Sequence, residues 1–485
     1  MSPSNWREVL EGAMSHIDSR RAAIISASAI AASYAFVTYA RLGPQDSFIR
    51  KLLGLKLNYP VHGFVHPGYE LVKEEFEKNF EQGLELGSSF CAYADGKLVV
   101  ELYGGYHDIQ RSKRYDSQSL QLIFSSGKTL MAILIAHLVD KDLIDLNKRV
   151  ADYWPEFAEG GKENVTVKEL LAHRGGVGWL DEPHRLTTDE YTDLDLVSKK
   201  IAGQPHNHNG KPVHDYNAQT RGFFLNQIVR RVDPKKRSAG QIYREDINPK
   251  LGVEVYMGLP EALYTRVSPL VSYPFPRVLI RALLPAWITR NPLPPILDKI
   301  QAKKGKALFT PNITMPGAKG NDLGVIANSY DYQKGEGPSY NTITTAKSMA
   351  KLGAVMANGG TLDGFKLCSP KTLAKVYEEM ELQEDYSLCF PFLFTAGGFN
   401  LLKDVSCPDP DMLEKDRVGK YRAPGTTWVG WGGYGGSLIY WSPSDNLAVG
   451  YAENQLGLCI VCEARSERLS AAVWKCHNAL SKGKK

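Results

Sequence analysis

Residues 124–130 read Phe124-Ser125-Ser126-Gly127-Lys128-Thr129-Leu130, and two chemistries compete for them. Gly127-Lys128-Thr129 has the ending of a phosphate-binding loop. Ser125 and Lys128 have the spacing of a nucleophile and its base. A phosphate loop requires G-x-x-x-x-G-K-[ST], because its first glycine makes the turn that lets backbone N–H groups wrap the phosphates. That glycine would stand where the chain has Leu122. The strict motif fails, and a bare G-K-T recurs by chance.

The second chemistry rests on helix geometry. Residues three apart on a helix share a face, so Ser125 would lie against Lys128. A serine hydroxyl is a weak nucleophile until its proton is taken. Lysine takes it only where burial or a neighbouring cation lowers its pKa. A helix beginning at Ser125 would also aim backbone N–H groups at a reacting carbonyl. S-x-x-K alone more often marks a solvated helix face. The context argues otherwise, because Lys128 is the only charge between Asp116 and His137 and heads a strongly apolar run.

Around this stretch the pattern alternates between strands and helices. SSFCAYA (88–94) and KLVVELYGG (97–105) flank Asp95-Gly96, a strong hairpin signal. Apolar spacing of three and four predicts helices over 124–146, 165–176 with Gly175-Gly176 as its stop, 220–232 and 344–360. Two alternating strands, 437–442 and 447–452, flank the turn Ser442-Pro443-Ser444-Asp445-Asn446. Hairpins near both ends with helices between predict one sheet closed by distant segments, with a helical region inserted. Residues 265–320 are proline-rich and carry an apolar, basic-edged patch at 276–288. They fit a lid over a pocket or an insertion packed on its own domain.

At 485 residues, with 43% hydrophobic and 23% charged residues, the chain is ordinary for a globular protein. The net charge is +5, and the first 56 residues hold seven Lys/Arg against four Asp/Glu. The near-neutral remainder argues against a nucleic-acid partner. Seven cysteines do not form a disulfide framework in so long a chain, and Cys459-x-x-Cys462 reads as two buried thiols. His206, His208 and His214 have no metal-ligand spacing and read as solvated loop residues, so neither a metal nor an organic cofactor is expected.

Residues 22–40 carry no charge and lie between Arg21 and Arg41. As a helix they would span roughly 28 Å, close to the ~30 Å hydrocarbon core. The Ala/Ser-rich composition makes insertion marginal. A signal peptide and a buried helix are the alternatives to a single-pass membrane anchor, which is the favoured expectation. The expected organisation is a tail at 1–21, the anchor at 22–40, a linker at 41–60 and one catalytic domain at 61–485.

SSGKTLMAILIAHLVDKDLIDLNKRVADYWPEF (125–157) and TVKELLAHRGGVGWLD (166–181) closely resemble the serine β-lactamase and penicillin-binding-protein superfamily. The nearest branch is its class C-like arm, which includes family VIII carboxylesterases and animal β-lactamase-domain proteins. The likeness runs from about residue 60 to about residue 475, with three motifs in order. It implies an α+β, β-lactamase/transpeptidase-like fold: an antiparallel sheet flanked by helices. It also implies that Ser125 is acylated and that Lys128 is its proton partner.

The second motif of the superfamily is commonly Tyr-x-Asn, and none of the 24 tyrosines here has Asn two positions on. The resemblance in HDYNAQTRGFFLNQIVRRV gives Tyr216 the base role, with Ala218 in the Asn place. A phenol beside a lysine ammonium is expected to ionise more easily. In the third place stands Trp431-Gly432-Gly433, then Tyr434, whose N–H with that of Ser125 would hold the oxyanion.

Two lookalikes carry no role. Gly430-x-Gly432-x-x-Gly435 precedes a strand where a dinucleotide fingerprint precedes a helix. Ser444-Asp445-Asn446 follows the third motif, whereas the S-D-N element belongs between the first and third. In relatives that act on β-lactams or D-alanyl peptides, the third-motif cation holds a substrate carboxylate. Trp431 cannot do that, and Ala218 cannot bond a substrate amide. The resemblance therefore implies a serine hydrolase for neutral esters or lipid-like acyl groups, a small-molecule acyl substrate and no cofactor. The alternatives are a β-lactamase or D-alanyl peptidase, and a non-catalytic scaffold that keeps the fold.

Overall fold

The computed structural model describes residues 19–40, 42–55, 59–277, 313–314, 326–388, 391–403, 427–457 and 463–482. Its centre is a seven-stranded antiparallel sheet. The strands are β1 (Val61–Val65), β2 (Gly87–Ala94), β3 (Lys97–Gly105), β4 (Leu401–Leu402), β5 (Trp428–Gly432), β6 (Leu438–Ser442) and β7 (Leu447–Glu453). Their spatial order is β1-β3-β2-β7-β6-β5-β4, so β2 from the early chain pairs with β7 from the end. The expected closure of one sheet by distant segments is what forms.

Period-two alternation explains why both sheet faces are covered. Phe90, Ala92 and Ala94 of β2 point into one apolar layer with Leu447, Val449 and Tyr451 of β7. Cys91 and Tyr93 point into the other, with Ala448 and Ala452. The first layer is closed by helices α1 (Glu70–Glu81) and α5 (Ala464–Lys482), which supply Val72, Phe76, Phe80, Leu469 and Val473. The second is closed by α2 (Gly127–Asp140) and α4 (Ala346–Ala357). Small residues let α4 lie close on the sheet: a Cβ on Gly450 would come within 2.2 Å of Ala346 O.

Helix α2 is buried from Gly127 to Val139, which suits a segment apolar all round. It stops at Asp140, short of the expected 146, because Asp142 turns left-handed (φ +55°). Leu143 N–H then bonds Leu138 O and Asp142 N–H bonds Val139 O, capping the end. The helix expected over 165–176 is likewise shorter, Val167–Leu171. His173 (φ +63°), and not the glycine pair, takes the left-handed place after its C-cap, with Arg174 N–H on Glu169 O. Helix α3 spans Thr220–Val232, and the turn between β6 and β7 is as expected.

The membrane anchor is not supported. Ser19–Ala40 does form a 22-residue helix. Yet among the described residues no helix is long and apolar enough to cross a membrane. Alanine and the serine hydroxyls dilute its hydropathy too far. Most of the proposed lid or insertion, 278–312 and 315–320, lies outside the described residues, as does the Cys459-Cys462 pair. Cys91, Cys368 and Cys476 are free and buried.

Candidate active site

The opening stretch lies at the junction of the two halves of the fold. Gln121–Leu122 is a short strand paired with Ile343–Thr344. The chain then turns sharply, with Phe124 at φ +44° and a single 3₁₀ turn over Phe124–Ser126, before α2 begins at Gly127. Gly127 has a packing task. A Cβ there would lie 2.5 Å from Thr342 Oγ1 and 2.7 Å from Pro338 O. On the other side a Cβ on Gly222 would lie 2.6 Å from Ser339 N, and Gly222 N–H donates to Ser339 Oγ at 2.8 Å. The segment 338–342 is thus clamped between α2 and α3, which delivers a backbone carbonyl to Lys128.

Lys128 Nζ has three oxygen neighbours: Ser125 Oγ at 3.1 Å, Ala218 O at 2.7 Å and Ser339 O at 2.9 Å. Two are carbonyls and can only accept. A neutral amine places its two N–H bonds on them and turns its lone pair to the serine oxygen. Burial, and then the charge of Arg221, push the Lys128 pKa well below the ordinary lysine value. The side chain is 2% exposed. The Tyr216 ring face, 4.8 Å from Nζ, favours the cation and works weakly the other way.

Tyr216 comes from the loop before α3, and its hydroxyl donates to Ser125 Oγ at 2.6 Å. Ser125, Lys128 and Tyr216 therefore meet at one oxygen. The expected easier ionisation of the phenol is not found. Burial pushes Tyr216 up to about 12, outweighing the hydrogen bonds from Ser125 and Trp431 and the Arg221 charge. The phenol stays protonated near neutrality because desolvation of a phenolate exceeds the help its neighbours give.

Strand β5 brings the third motif to the same place. Trp431 stacks on Tyr216 with ring centres 5.5 Å apart, and Phe392 and Phe394 close around it at 5.1 Å and 5.6 Å. Ser437 Oγ donates to Ile123 O at 2.7 Å, and Ser126 Oγ lies 3.1 Å from Ser437 Oγ. Gly433 is needed for this docking, since a Cβ would lie 2.2 Å from Ile123 O. Tyr434 meets Phe124 edge-on at 5.6 Å, beside the nucleophile turn. Gly432 pairs with Leu438 across the hairpin.

The histidines expected to be solvated are not. His206 and His214 are buried. His208 Nε2 lies 2.9 Å from Asp215 Oδ2, and His214 Nδ1 lies 2.9 Å from Asp385 Oδ2. The first pair lies within the Tyr216 loop; the second, with the Ser387 hydroxyl donating to Asp215 Oδ1 and Tyr386 N–H bonding His214 O, ties that loop to residues 385–387. Among the described residues no group of three or more His, Cys, Asp or Glu could hold a metal ion. Ser339 escaped sequence reading because it acts through its carbonyl. Arg221 did carry a signal, a lone charge beside Gly222-Phe223-Phe224 in the same pattern that singled out Lys128.

The chain as a whole is similar to known proteins. The β-lactamase family model matches residues 76–459. The chain is 24% identical over 400 residues to the esterase/β-lactamase LipL of Mycobacterium tuberculosis, covering 82% of this chain and 83% of that one. Among solved structures it resembles a family VIII carboxylesterase, with TM-score 0.70, 28% identity, and coverage of 86% of this chain and 100% of that one. It is similar to the same extent to a penicillin-binding-protein homologue from Caulobacter crescentus, with TM-score 0.69, 28% identity and the same coverage. Since the family model covers most of the sequence and the shared architecture extends over all of those two structures, the chain belongs to the β-lactamase family.

Proposed function

We propose that the protein is a serine hydrolase that works through a covalent acyl-enzyme and prefers neutral esters or lipid-like acyl groups. The observation that carries the reading is the hydroxyl of Ser125, held between the Lys128 amine at 3.1 Å and the Tyr216 hydroxyl at 2.6 Å. In acylation Ser125 Oγ bonds the carbonyl carbon and passes its proton to the neutral amine. Tyr216, relaying the proton from Lys128, protonates the leaving alkoxide as the ester bond breaks. The N–H groups of Ser125 and Tyr434 hold the oxyanion, and Trp431, Gly432 and Gly433 set that strand. Water then attacks the acyl-enzyme, and the same groups return the proton to Ser125.

Trp431 favours uncharged substrates. It stands where a cation would hold a substrate carboxylate, and it is buried against Tyr216, Phe392 and Phe394. The test is hydrolysis of p-nitrophenyl short-chain esters by the purified protein, with Ser125→Ala as control. Turnover that persists in Ser125→Ala rules the mechanism out. A second reading, β-lactam hydrolysis, has one observation in its favour: the relative from M. tuberculosis is named for both activities. Nitrocefin turnover as fast as ester turnover would favour it.

A further inference from the structure

Behind Lys128 lies a second cation with no counter-ion among the described residues. Arg221, in the first turn of α3, is 1% exposed. One guanidinium nitrogen, Nη2, donates to Lys128 O at 3.3 Å, and Nη1 faces His173 Nε2 at 3.2 Å. Its Nε has no hydrogen-bond partner among the described residues. Burial and the Tyr216 phenol are the influences on its charge, and no carboxylate is among them. Gly398 closes the space, since a Cβ there would lie 3.1 Å from Nη2 and 2.8 Å from Leu171 O.

The partner Arg221 does have is a poor one. His173 Nδ1 already accepts from Asn217 N–H at 2.9 Å. A neutral imidazole accepts at one nitrogen only, so donors on both sides leave one contact compromised. The ring cannot relieve this by taking a proton, and burial with Arg221, His214 and Lys128 nearby keeps it neutral. A buried, unpaired charge costs several kcal/mol, and well-packed apolar side chains at such sites are often neutral or stabilising. Packing alone therefore gives no reason for arginine at this position.

We propose that Arg221 is an electrostatic positioning residue, a carboxylate-free guanidinium whose charge holds the Lys128 amine in its neutral, proton-accepting form. The groups facing this pair support the assignment. Helix α2 presents Lys128 itself, α3 presents Arg221, and the loop after Leu171 presents the neutral His173. The loop before α3 presents His214 and Tyr216, and the 338–342 segment presents only the Ser339 carbonyl. The carboxylates on the surrounding segments are engaged elsewhere: Asp215 Oδ2 lies 2.9 Å from His208 Nε2, and Asp385 Oδ2 lies 2.9 Å from His214 Nδ1. Burial lowers the Lys128 pKa first, and repulsion from Arg221 adds to it with no carboxylate among the influences.

The inference rests on the acyl-enzyme reading, and its test is built to fail separately. The measured quantity is the rate at which a fluorophosphonate probe labels Ser125 as a function of pH. Labelling of the wild type should fall on the acid side as Lys128 takes a proton. Arg221→Met should move that limb to higher pH, giving at least about tenfold slower labelling at a fixed pH on the limb. Arg221→Lys keeps the charge and should leave the limb in place. His173→Glu keeps the arginine but neutralises it, and should move the limb as Arg221→Met does. Limbs that coincide in wild type, Arg221→Met and His173→Glu, with only amplitudes changed, overturn the proposal. So does an Arg221→Met protein that fails to fold, because a charge kept for chemistry should be replaceable by methionine. Absence of labelling in the wild type at any pH overturns the hydrolase reading instead.

Discussion

The hydroxyl of Tyr216 donates to Ser125 Oγ at 2.6 Å across 91 residues of sequence. Tyr216→Phe removes this bond and keeps the ring that stacks on Trp431. The expected result is a 10²–10⁴-fold fall in kcat for p-nitrophenyl esters, the usual range for losing a proton-transfer group. Thermal unfolding should change little. A variant within threefold of wild type would remove Tyr216 from the mechanism.

Lys128 leaves a signature in stability. Its pKa is lowered on folding, so below the ordinary value of 10.5 the unfolded chain binds a proton that the folded chain does not. Stability then rises with pH between the depressed folded value and 10.5. Lys128→Met removes this slope. Wild type should lose up to about 1.4 kcal/mol per pH unit relative to the variant as pH falls through that window. Denaturant unfolding at several pH values measures the difference, and parallel curves would contradict a neutral Lys128.

Gly433→Ala tests the docking of the third motif. The added methyl would sit 2.2 Å from both Ile123 O and Ser437 Oγ. Backbone must shift, and the Tyr434 N–H shifts with it. Ester turnover should drop more than tenfold, and the melting temperature by several degrees, as for a loss of about 1–3 kcal/mol from overpacking. Unchanged kinetics would mean that the strand does not hold the oxyanion.

Substrate charge should matter in one direction. An ester bearing a free carboxylate on its acyl part finds Trp431 where a cation would be needed. A charge-assisted hydrogen bond contributes about 1.5–3 kcal/mol, so such an ester should show kcat/KM roughly ten- to a hundredfold below its neutral isostere. Equal values would point to another cation at the site.

The chain's local chemistry was enough to place the motifs and most elements. Asp95-Gly96 marked the first hairpin because that pair adopts positive φ readily, and both residues do so here. The apolar run after Lys128 marked a buried helix, and the spacing of three put its amine beside Ser125. Helix ends were less legible. His173 and Asp142 took left-handed turns that local preference assigns to glycine, and His173 is held there by Asp215 N–H on its carbonyl and Asn217 N–H on its ring.

What tertiary structure alone decided is the protonation of the site. Sequence spacing brings Ser125 and Lys128 together, but says nothing of Ala218 O and Ser339 O, which arrive from 90 and 211 residues away. The sequence marks Arg221 as a lone charge but does not place it behind Lys128 without a carboxylate. A side chain's pKa depends on the burial and charges around it, and those are set by which distant segments meet. The same is true of Tyr216, which proximity to a lysine would make more acidic and which burial makes less so.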